Sequence, residues 1–275
     1  VGARISIIAA AAFVLLAMNS AQIAWADPIP FIPPANPKAV MEITGDGDFT
    51  AENGVVGGNG TEYNPYIIQG LNLTVSDQAA GLYIHLTRAS FLVKYVNITN
   101  AGSSHANYGI LLDDVTNGTV DLCGVRGSDM GITVRRSASV SLDLNDISGA
   151  MNAGLSLTSC TDLSIYGNRM DHCDYGILMT DVQSANIYNN VLTNSRYGIA
   201  LVHCNGVGAF GNEITGTLVP YSDDSWTGNV WTGHQQVIEQ PLGKLLIFGV
   251  VLPSCAALGV AAFIVRRRRS RTAAV

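Results

Sequence analysis

The sequence predicts an all-β fold, a single-stranded parallel β-helix: a solenoid of about 22 residues per coil. Three observations predict it. A five-residue motif recurs as Tyr108-Gly109-Ile110-Leu111-Leu112, Met130-Gly131-Ile132-Thr133-Val134, Ala153-Gly154-Leu155-Ser156-Leu157, Tyr175-Gly176-Ile177-Leu178-Met179 and Tyr197-Gly198-Ile199-Ala200-Leu201, with glycines 22, 23, 22 and 22 residues apart. Alignment on the glycine then yields further columns: Val115, Ser137, Cys160, Val182, Cys204; Val120, Leu142, Ile165, Ile187, Ala209; and Val125, Ile147, Met170, Leu192, Ile214. They are apolar or small and separated by polar residues, the period-two pattern of strands with one inward face. Finally, Cys123, Asn145, Asn168, Asn190 and Asn212 form a column at a bend. There stacked amides can bond one another and the turn backbone.

The elements follow in chain order. Residues 1–26 read as a signal peptide, with Arg4, the apolar run Ile5–Met18 and the small-x-small site Ala24-Trp25-Ala26 before Asp27. A retained membrane anchor is the alternative, but the apolar run is short for a spanning helix. Residues 27–65 are a linker and cap. In it, Gly57-Gly58-Asn59-Gly60 lacks the Lys and Ser/Thr of a phosphate loop and reads as a turn. The solenoid is assigned to 66–217, with Tyr66–Leu73 as its first rung and an irregular coil over Gly81–Leu86 and Phe91–Ile98. Gly81 lies 28 residues before Gly109, and the excess is assigned to a loop at Gly102–Asn107. The single extra residue between Gly131 and Gly154 is placed near Ser148–Met151. The stack is expected to have about six or seven coils and a length of about 30 Å at ~4.8 Å per rung.

Residues 218–244 read as a linker, with Trp226 and Trp231 either near a membrane interface or simply in the linker. Leu245–Val265 is an uninterrupted apolar run, long enough to cross a bilayer. The arginines at 266–269 and 271 mark residues 266–275 as a cytoplasmic basic tail. The expected protein is exported and single-pass, with its β-helix outside and the membrane as a partner through the C-terminal helix; removal of that helix as a sorting signal is the variant.

The net charge of −6 conceals an asymmetry: residues 27–241 hold all 21 acidic residues and 8 basic ones, a balance of −13. An acidic surface does not fit nucleic acid. Of the five cysteines, Cys255 falls in the apolar run, and Cys160 and Cys204 share a column two coils apart with Val182 between them. Two rungs, roughly 9–10 Å, exceed disulfide reach, so Cys123, Cys160, Cys173 and Cys204 are expected to be small core residues. Sequons at Asn59, Asn72, Asn97 and Asn117 are candidates for N-glycosylation, or chance matches in a chain rich in Asn and Thr.

Catalysis on a β-helix calls for carboxylates, or a calcium site, on adjacent rungs of one outward face. The columns Asp114, Arg136, Ser159, Asp181, His203 and Asn107, Asp129, Asn152, Asp174, Arg196 alternate in sign and read as salt-bridge ladders. No catalytic set is assigned. A third column, Asp121, Asp143, Tyr166, Tyr188, Phe210, sets three aromatics beside two acids. Sugars can stack on such a stripe while the acids accept hydroxyl hydrogen bonds; rings stacking on one another to stabilise the sheet is the other reading. The histidines at 85, 105, 172, 203 and 234 show no metal-ligand spacing, so no metal or cofactor is assigned.

The coil pattern Tyr175-Gly-Ile-Leu-Met, Asn186-Ile187, Asn190-Val-Leu and Asn194 resembles the repeats of the NosD-like, pectate-lyase-like right-handed parallel β-helices. The segments Gly47–Thr61 and Asn64–Ile68 resemble the capping opening of archaeal surface members of that group. The likeness covers roughly 41–217 and implies right-handed coils on a surface protein. The family's copper label finds no ligand set here, and the catalytic clusters of its enzymatic relatives do not carry over. The expected function is non-catalytic binding of a polysaccharide or a surface protein; a polysaccharide lyase or glycoside hydrolase is the alternative.

Overall fold

The computed structural model describes residues 39–76, 78–100, 107–225, 228–231 and 236–238. The signal-peptide segment, the apolar run with Cys255, the basic tail, Trp226 and residues 102–106 of the expected loop lie outside the described residues. All described residues belong to one compact unit, Val1–Ile238.

They form a parallel β-solenoid of about seven turns, its strands stacked into three sheets. One coil shows the plan. Tyr175–Thr180 lies in the first sheet, Gln183–Tyr188 in the second and Val191–Thr193 in the third; Tyr197 then opens the next coil. Every rung pairs in parallel with the next, except that Val55–Gly57 caps Tyr66–Gln69 antiparallel. The solenoid extends past the expected 66–217. Ala39–Thr44 heads the first sheet, and Val219–Asp223, Val230–Trp231 and Gln236–Ile238 continue the three sheets at the far end. Eight strands in the first sheet give it a length of about 34 Å.

The two irregular spacings resolve in the strand register. Met130 pairs with Ala153, an offset of 23, whereas Gly124 pairs with Asp146, an offset of 22. The extra residue therefore sits between Ser148 and Ala153, where Met151 is exposed. In the earlier coil Thr87 pairs with Val115, an offset of 28, and Phe91 with Gly118, an offset of 27. One of the additional residues thus falls at the Thr87–Phe91 corner, and the others between Asn100 and Tyr108.

Inside, Ile110, Ile132, Leu155, Ile177 and Ile199 stack in one fully buried line. The motif glycine beside them does not make a turn. A Cβ at Gly176 would press on the Leu192 side chain and stand 2.8 Å from the Gly198 carbonyl oxygen of the next rung. Only a residue without a side chain lets the coils approach so closely there.

The corners explain the polar residues between the columns. In the same coil the corner residues Asp181, Asn189 and Asn194 have φ of 54, 55 and 52°, the left-handed region, as does Ser184 at the start of the second-sheet strand (58°). Asn, Asp and Gly enter that region at least cost, because a short side chain can bond the local backbone. The asparagine column forms the expected ladder. Asn145 Nδ2 donates to Asn168 Oδ1 (2.9 Å), Asn168 Nδ2 to Asn190 Oδ1 (3.0 Å) and Asn190 Nδ2 to Asn212 Oδ1 (2.9 Å). Each Oδ1 also accepts the backbone N–H one rung back.

Cys123, Cys160, Cys173 and Cys204 are free and buried. Burial pushes the thiols of Cys123, Cys160 and Cys173 up to about 11, and that of Cys204 up as well. Their sulfurs donate to nearby backbone carbonyls, as Cys160 Sγ does to Thr158 (3.2 Å).

Candidate functional site

The second sheet carries the most distinctive outward column. Strand register places Gln69, Lys94, Asp121, Asp143, Tyr166, Tyr188 and Phe210 on consecutive rungs. They point outward because Val120, Leu142, Ile165, Ile187 and Ala209, one residue earlier, fill the core. The five residues singled out from the sequence, Asp121, Asp143, Tyr166, Tyr188 and Phe210, are thus one in-register stripe.

The rings stack along the solenoid axis. Tyr166 and Tyr188 have centroids 4.8 Å apart at 30°, and Tyr188 and Phe210 5.2 Å apart at 11°. Both faces of Tyr188 are therefore taken by its neighbours, and the stripe presents its inner ring edge-on. The Tyr188 hydroxyl lies 3.4 Å from Ser164 Oγ. Phe210 at the end is the most open, at 38%. Burial, and then the Asp121 charge one rung away, push the Asp143 carboxyl up to about 6.

The column beside the stripe was not singled out from the sequence. On the rungs of Lys94, Asp121 and Asp143 the left-handed corner holds Tyr95, Leu122 and Leu144, with φ of 53, 52 and 53° and exposures of 53, 39 and 45%. Large apolar side chains there are both strained and wet, whereas the later rungs of the same corner carry Gly167, Asn189 and Gly211. A Cβ at Gly167 would stand 2.6 Å from Leu144 Cδ2, so the leucine lies over the glycine. Acids, a lysine and apolar corner residues thus share one end of the surface, and aromatic rings the other. The sequence signal was faint: Leu or Tyr where the repeat elsewhere supplies Gly or Asn.

The remaining candidates spread over other faces. Asn72 and Asn97 pair on the third sheet, with Asn97 Nδ2 donating to Asn72 Oδ1 (3.2 Å). Asn59 accepts the Thr61 hydroxyl at 2.8 Å, and Asn117 occupies a left-handed corner. All four sequon asparagines are exposed. In the alternating-sign columns side chains of opposite kind meet from rung to rung: Arg88 with Asp114 (2.6 Å), His203 with Asp181 (3.7 Å) and Arg196 with Asp174 (3.9 Å). Arg136 pairs instead with Asp113 (2.7 Å), which also holds Arg135 (2.7 Å).

Among the described residues, donors for a soft or borderline metal do not converge. His85 is held by Glu42 and Thr44, both at 2.9 Å, His172 by Asp171 at 2.8 Å, and the thiols are buried in the core. Among the described residues no three His, Cys, Asp or Glu side chains are placed to hold one ion. These side chains do not fit a copper centre, which needs imidazole or sulfur ligands aimed at one point.

No curated protein matches the sequence. Two solved mutant structures of the periplasmic alginate epimerase AlgG resemble the chain. One, a double mutant, is 16% identical with a TM-score of 0.48, over 64% of this chain and 50% of that one. The other, a point mutant, is 18% identical with a TM-score of 0.45, over 64% and 51%. The chain thus spans about half the length of these proteins. Residues 43–236 match the model of the family described as periplasmic copper-binding protein (NosD). That match takes in the solenoid from its first sheet to its last coil, and the chain belongs to the NosD family.

Proposed function

We propose that this is an exported β-helix protein that binds a polysaccharide through the outward surface of its second sheet, without chemistry. The observation that supports it is the strained, solvent-facing group Tyr95, Leu122 and Leu144, continuous with Asp121, Asp143, Tyr166, Tyr188 and Phe210. Strain and exposed apolar surface together have no benefit for a free sheet and a clear one for a ligand. The acids and Lys94 accept and donate to hydroxyls, while the apolar corners and the edge of Phe210 cover the faces of the sugar.

A glycan array probed with the intact chain in detergent, followed by the Tyr166→Ala/Tyr188→Ala double variant, tests this. Tyr188 meets the sugar through its edge and props Tyr166 and Phe210 on either side, so loss of both tyrosines together is expected to weaken binding about tenfold, the ratio set by ~1.4 kcal/mol. Unchanged binding with a large drop in melting temperature would mean that the rings serve only to hold the sheet together.

Residues 1–26 act as the export signal in this proposal, residues 245–265 hold the protein in the membrane, and 266–275 stay in the cytoplasm. The family's periplasmic description agrees with export, and among the described residues no helix is long and apolar enough to cross a membrane. Protease added to spheroplasts should digest the solenoid and spare an epitope on the tail; digestion of the tail from outside would reverse the topology. Exposed Asn59, Asn72, Asn97 and Asn117 would carry N-glycans where the producing cell has the machinery.

A lyase or hydrolase is the second reading, favoured by one observation. Asp121 and Asp143 pair across adjacent rungs, and Asp143 keeps its proton up to about 6. A protonated carboxyl beside a second one can divide acid and base roles. The raised value also affects stability. Between the unfolded value of 3.8 and about 6 the folded state binds more protons than the unfolded chain, so stability falls as pH rises through that window. Asp143→Asn is therefore expected to raise the melting temperature at pH 7 to 8, with the advantage gone below about pH 4. If this variant leaves any product formation from an array hit intact, Asp143 is not the acid.

A further inference from the structure

On the second sheet the rung-to-rung pairing of opposite charges breaks down. Elsewhere acids meet bases one rung away, as Asp114 meets Arg88 (2.6 Å), Asp146 meets Arg126 (2.9 Å) and Asp113 meets Arg135 (2.7 Å). Asp121 and Asp143 instead pair with each other across adjacent rungs. Lys94 stands on the rung before Asp121, but its Nζ lies over the Tyr95 ring, 5.9 Å from the centroid. Among the described residues no base comes within ion-pair distance of either acid. Burial, and then the Asp121 charge, hold the proton on Asp143 up to about 6. The fold thus sets two like charges side by side and supplies no cation to part them.

The surroundings of the pair suit a cation that belongs to a sugar. Tyr166 follows Asp143 in register and stacks on Tyr188, with centroids 4.8 Å apart. That contact takes one face of the Tyr166 ring and turns the other toward the Asp143 rung, so the aromatic column ends in a π face at the acids. Leu122 and Leu144, exposed at the corner, border the pair on one side. On the other side the same sheet carries Thr119, Ser141 and Ser164, in register and half-buried. Their short side chains leave a trough beside the taller column, running along the solenoid axis and floored by hydroxyls.

Given the polysaccharide reading of the second sheet, on which this rests, we propose that the ligand is a chain of amino sugars with free amino groups, one ammonium seated between Asp121, Asp143 and the open face of Tyr166. A cation between the two carboxylates cancels their repulsion, and its hydrogen bonds to them are charge-assisted. The negative face of the phenol ring attracts it from a third side. Apolar faces of the pyranose rings rest on Leu122 and Leu144, while sugar hydroxyls meet Thr119, Ser141 and Ser164. Rungs recur every ~4.8 Å, close to the repeat of an extended β-1,4-linked chain, so neighbouring sugar units meet neighbouring rungs. Lys94 bounds the subsite, because it repels a second ammonium one rung further. A uronate polymer would set its carboxylates against two acids that nothing compensates.

Isothermal titration calorimetry on the intact chain in detergent tests this with four hexamers: β-1,4-linked glucosamine, the same chain fully N-acetylated, galacturonate and lysine. The glucosamine hexamer should bind at least about tenfold more tightly than the acetylated one, the ratio that a charge-assisted hydrogen bond supplies. The galacturonate hexamer should not bind. In Asp121→Asn/Asp143→Asn, which keeps both shapes, the ratio of the two sugar affinities should fall to about one. Tyr166→Leu, which keeps an apolar side chain and removes the π face, should lower it about twofold or more. If the double variant melts early, Asp143→Asn alone decides. Equal affinities of the two sugar hexamers for the unmodified chain would overturn the proposal. So would an undiminished ratio in the asparagine variants, which would put the ammonium on another face, and so would tight binding of galacturonate. A lysine hexamer that matches the glucosamine hexamer would overturn it in favour of a basic peptide. Failure of all four hexamers, beside a glycan-array hit that Tyr166→Ala/Tyr188→Ala weakens, would strike the amino sugar and keep the polysaccharide; failure of the array as well would strike both.

Discussion

Ile177→Asp is expected to unfold the central coils. Ile177 is fully buried, in register with Leu155 on one side and Ile199 on the other. A carboxylate there has no counter-charge, and an uncompensated buried charge costs on the order of 3–5 kcal/mol. A solenoid holds each coil only through its neighbours, so the damage spreads across two interfaces at once. Ile177→Val, which removes one methylene, should cost only about 1 kcal/mol. Far-UV circular dichroism during thermal melting compares the two. A wild-type melting curve for the aspartate variant would mean that this column does not form the core.

The second large effect is expected from Asn190→Leu. Asn190 Oδ1 accepts the Asn168 backbone N–H at 2.8 Å and Asn168 Nδ2 at 3.0 Å. Its own Nδ2 donates to Asn212 Oδ1 and to the Ile165 carbonyl, both at 2.9 Å. Leucine fills a similar volume and leaves these groups buried without that partner. At about 1–3 kcal/mol for each unsatisfied group, a loss on the order of 4 kcal/mol follows. Asn186→Leu, on the exposed side of strand Gln183–Tyr188 in the same coil, should change stability by less than about 0.5 kcal/mol. Equal melting of the two variants would show that the amide ladder is decorative. Asn190→Asp should fail differently, because it keeps the acceptor but loses every donation from Nδ2, the one to the Tyr188 carbonyl (3.2 Å) included, and adds a buried charge; its deficit should shrink at low pH, where the carboxyl is neutral.

The candidate surface was only half legible in the sequence. The stripe from Asp121 to Phe210 could be assembled from spacing, since one residue per 22 marks one position on successive rungs. Two of its properties could not. Spacing does not say that rings on adjacent rungs stack on each other, which turns Tyr188 edge-on. Nor does it flag Leu122 and Leu144 as strained, because a leucine beside an acid looks ordinary until the corner's positive φ is known. The outer side of the first sheet is hard to read from the sequence for a different reason. Tyr108, Met130, Tyr175 and Tyr197 sit directly before the motif glycines, and Leu111 and Leu178 two residues after them, so both faces of that strand are apolar. Such a continuous run is the mark of a strand buried on both faces, and inward alternation alone does not reveal it.

By itself, the sequence determined the coil length, the inward columns, the asparagine ladder, the place of the extra residue near Met151 and the family. All of these are local and repetitive: each depends on the residue at one position of a 22-residue unit and on its copies one rung away. Tertiary structure alone decided where the solenoid starts and stops, since Ala39–Thr44 and Val219–Asp223 join the first sheet by pairing with a neighbour and not by matching the motif. It also decided that Arg136 turns to Asp113, and that burial and a neighbouring charge hold the Asp143 proton. Rung-to-rung pairing, ring stacking along the stripe and burial are relations between residues about one coil apart, and a periodic sequence encodes the period more plainly than it encodes what each rung meets.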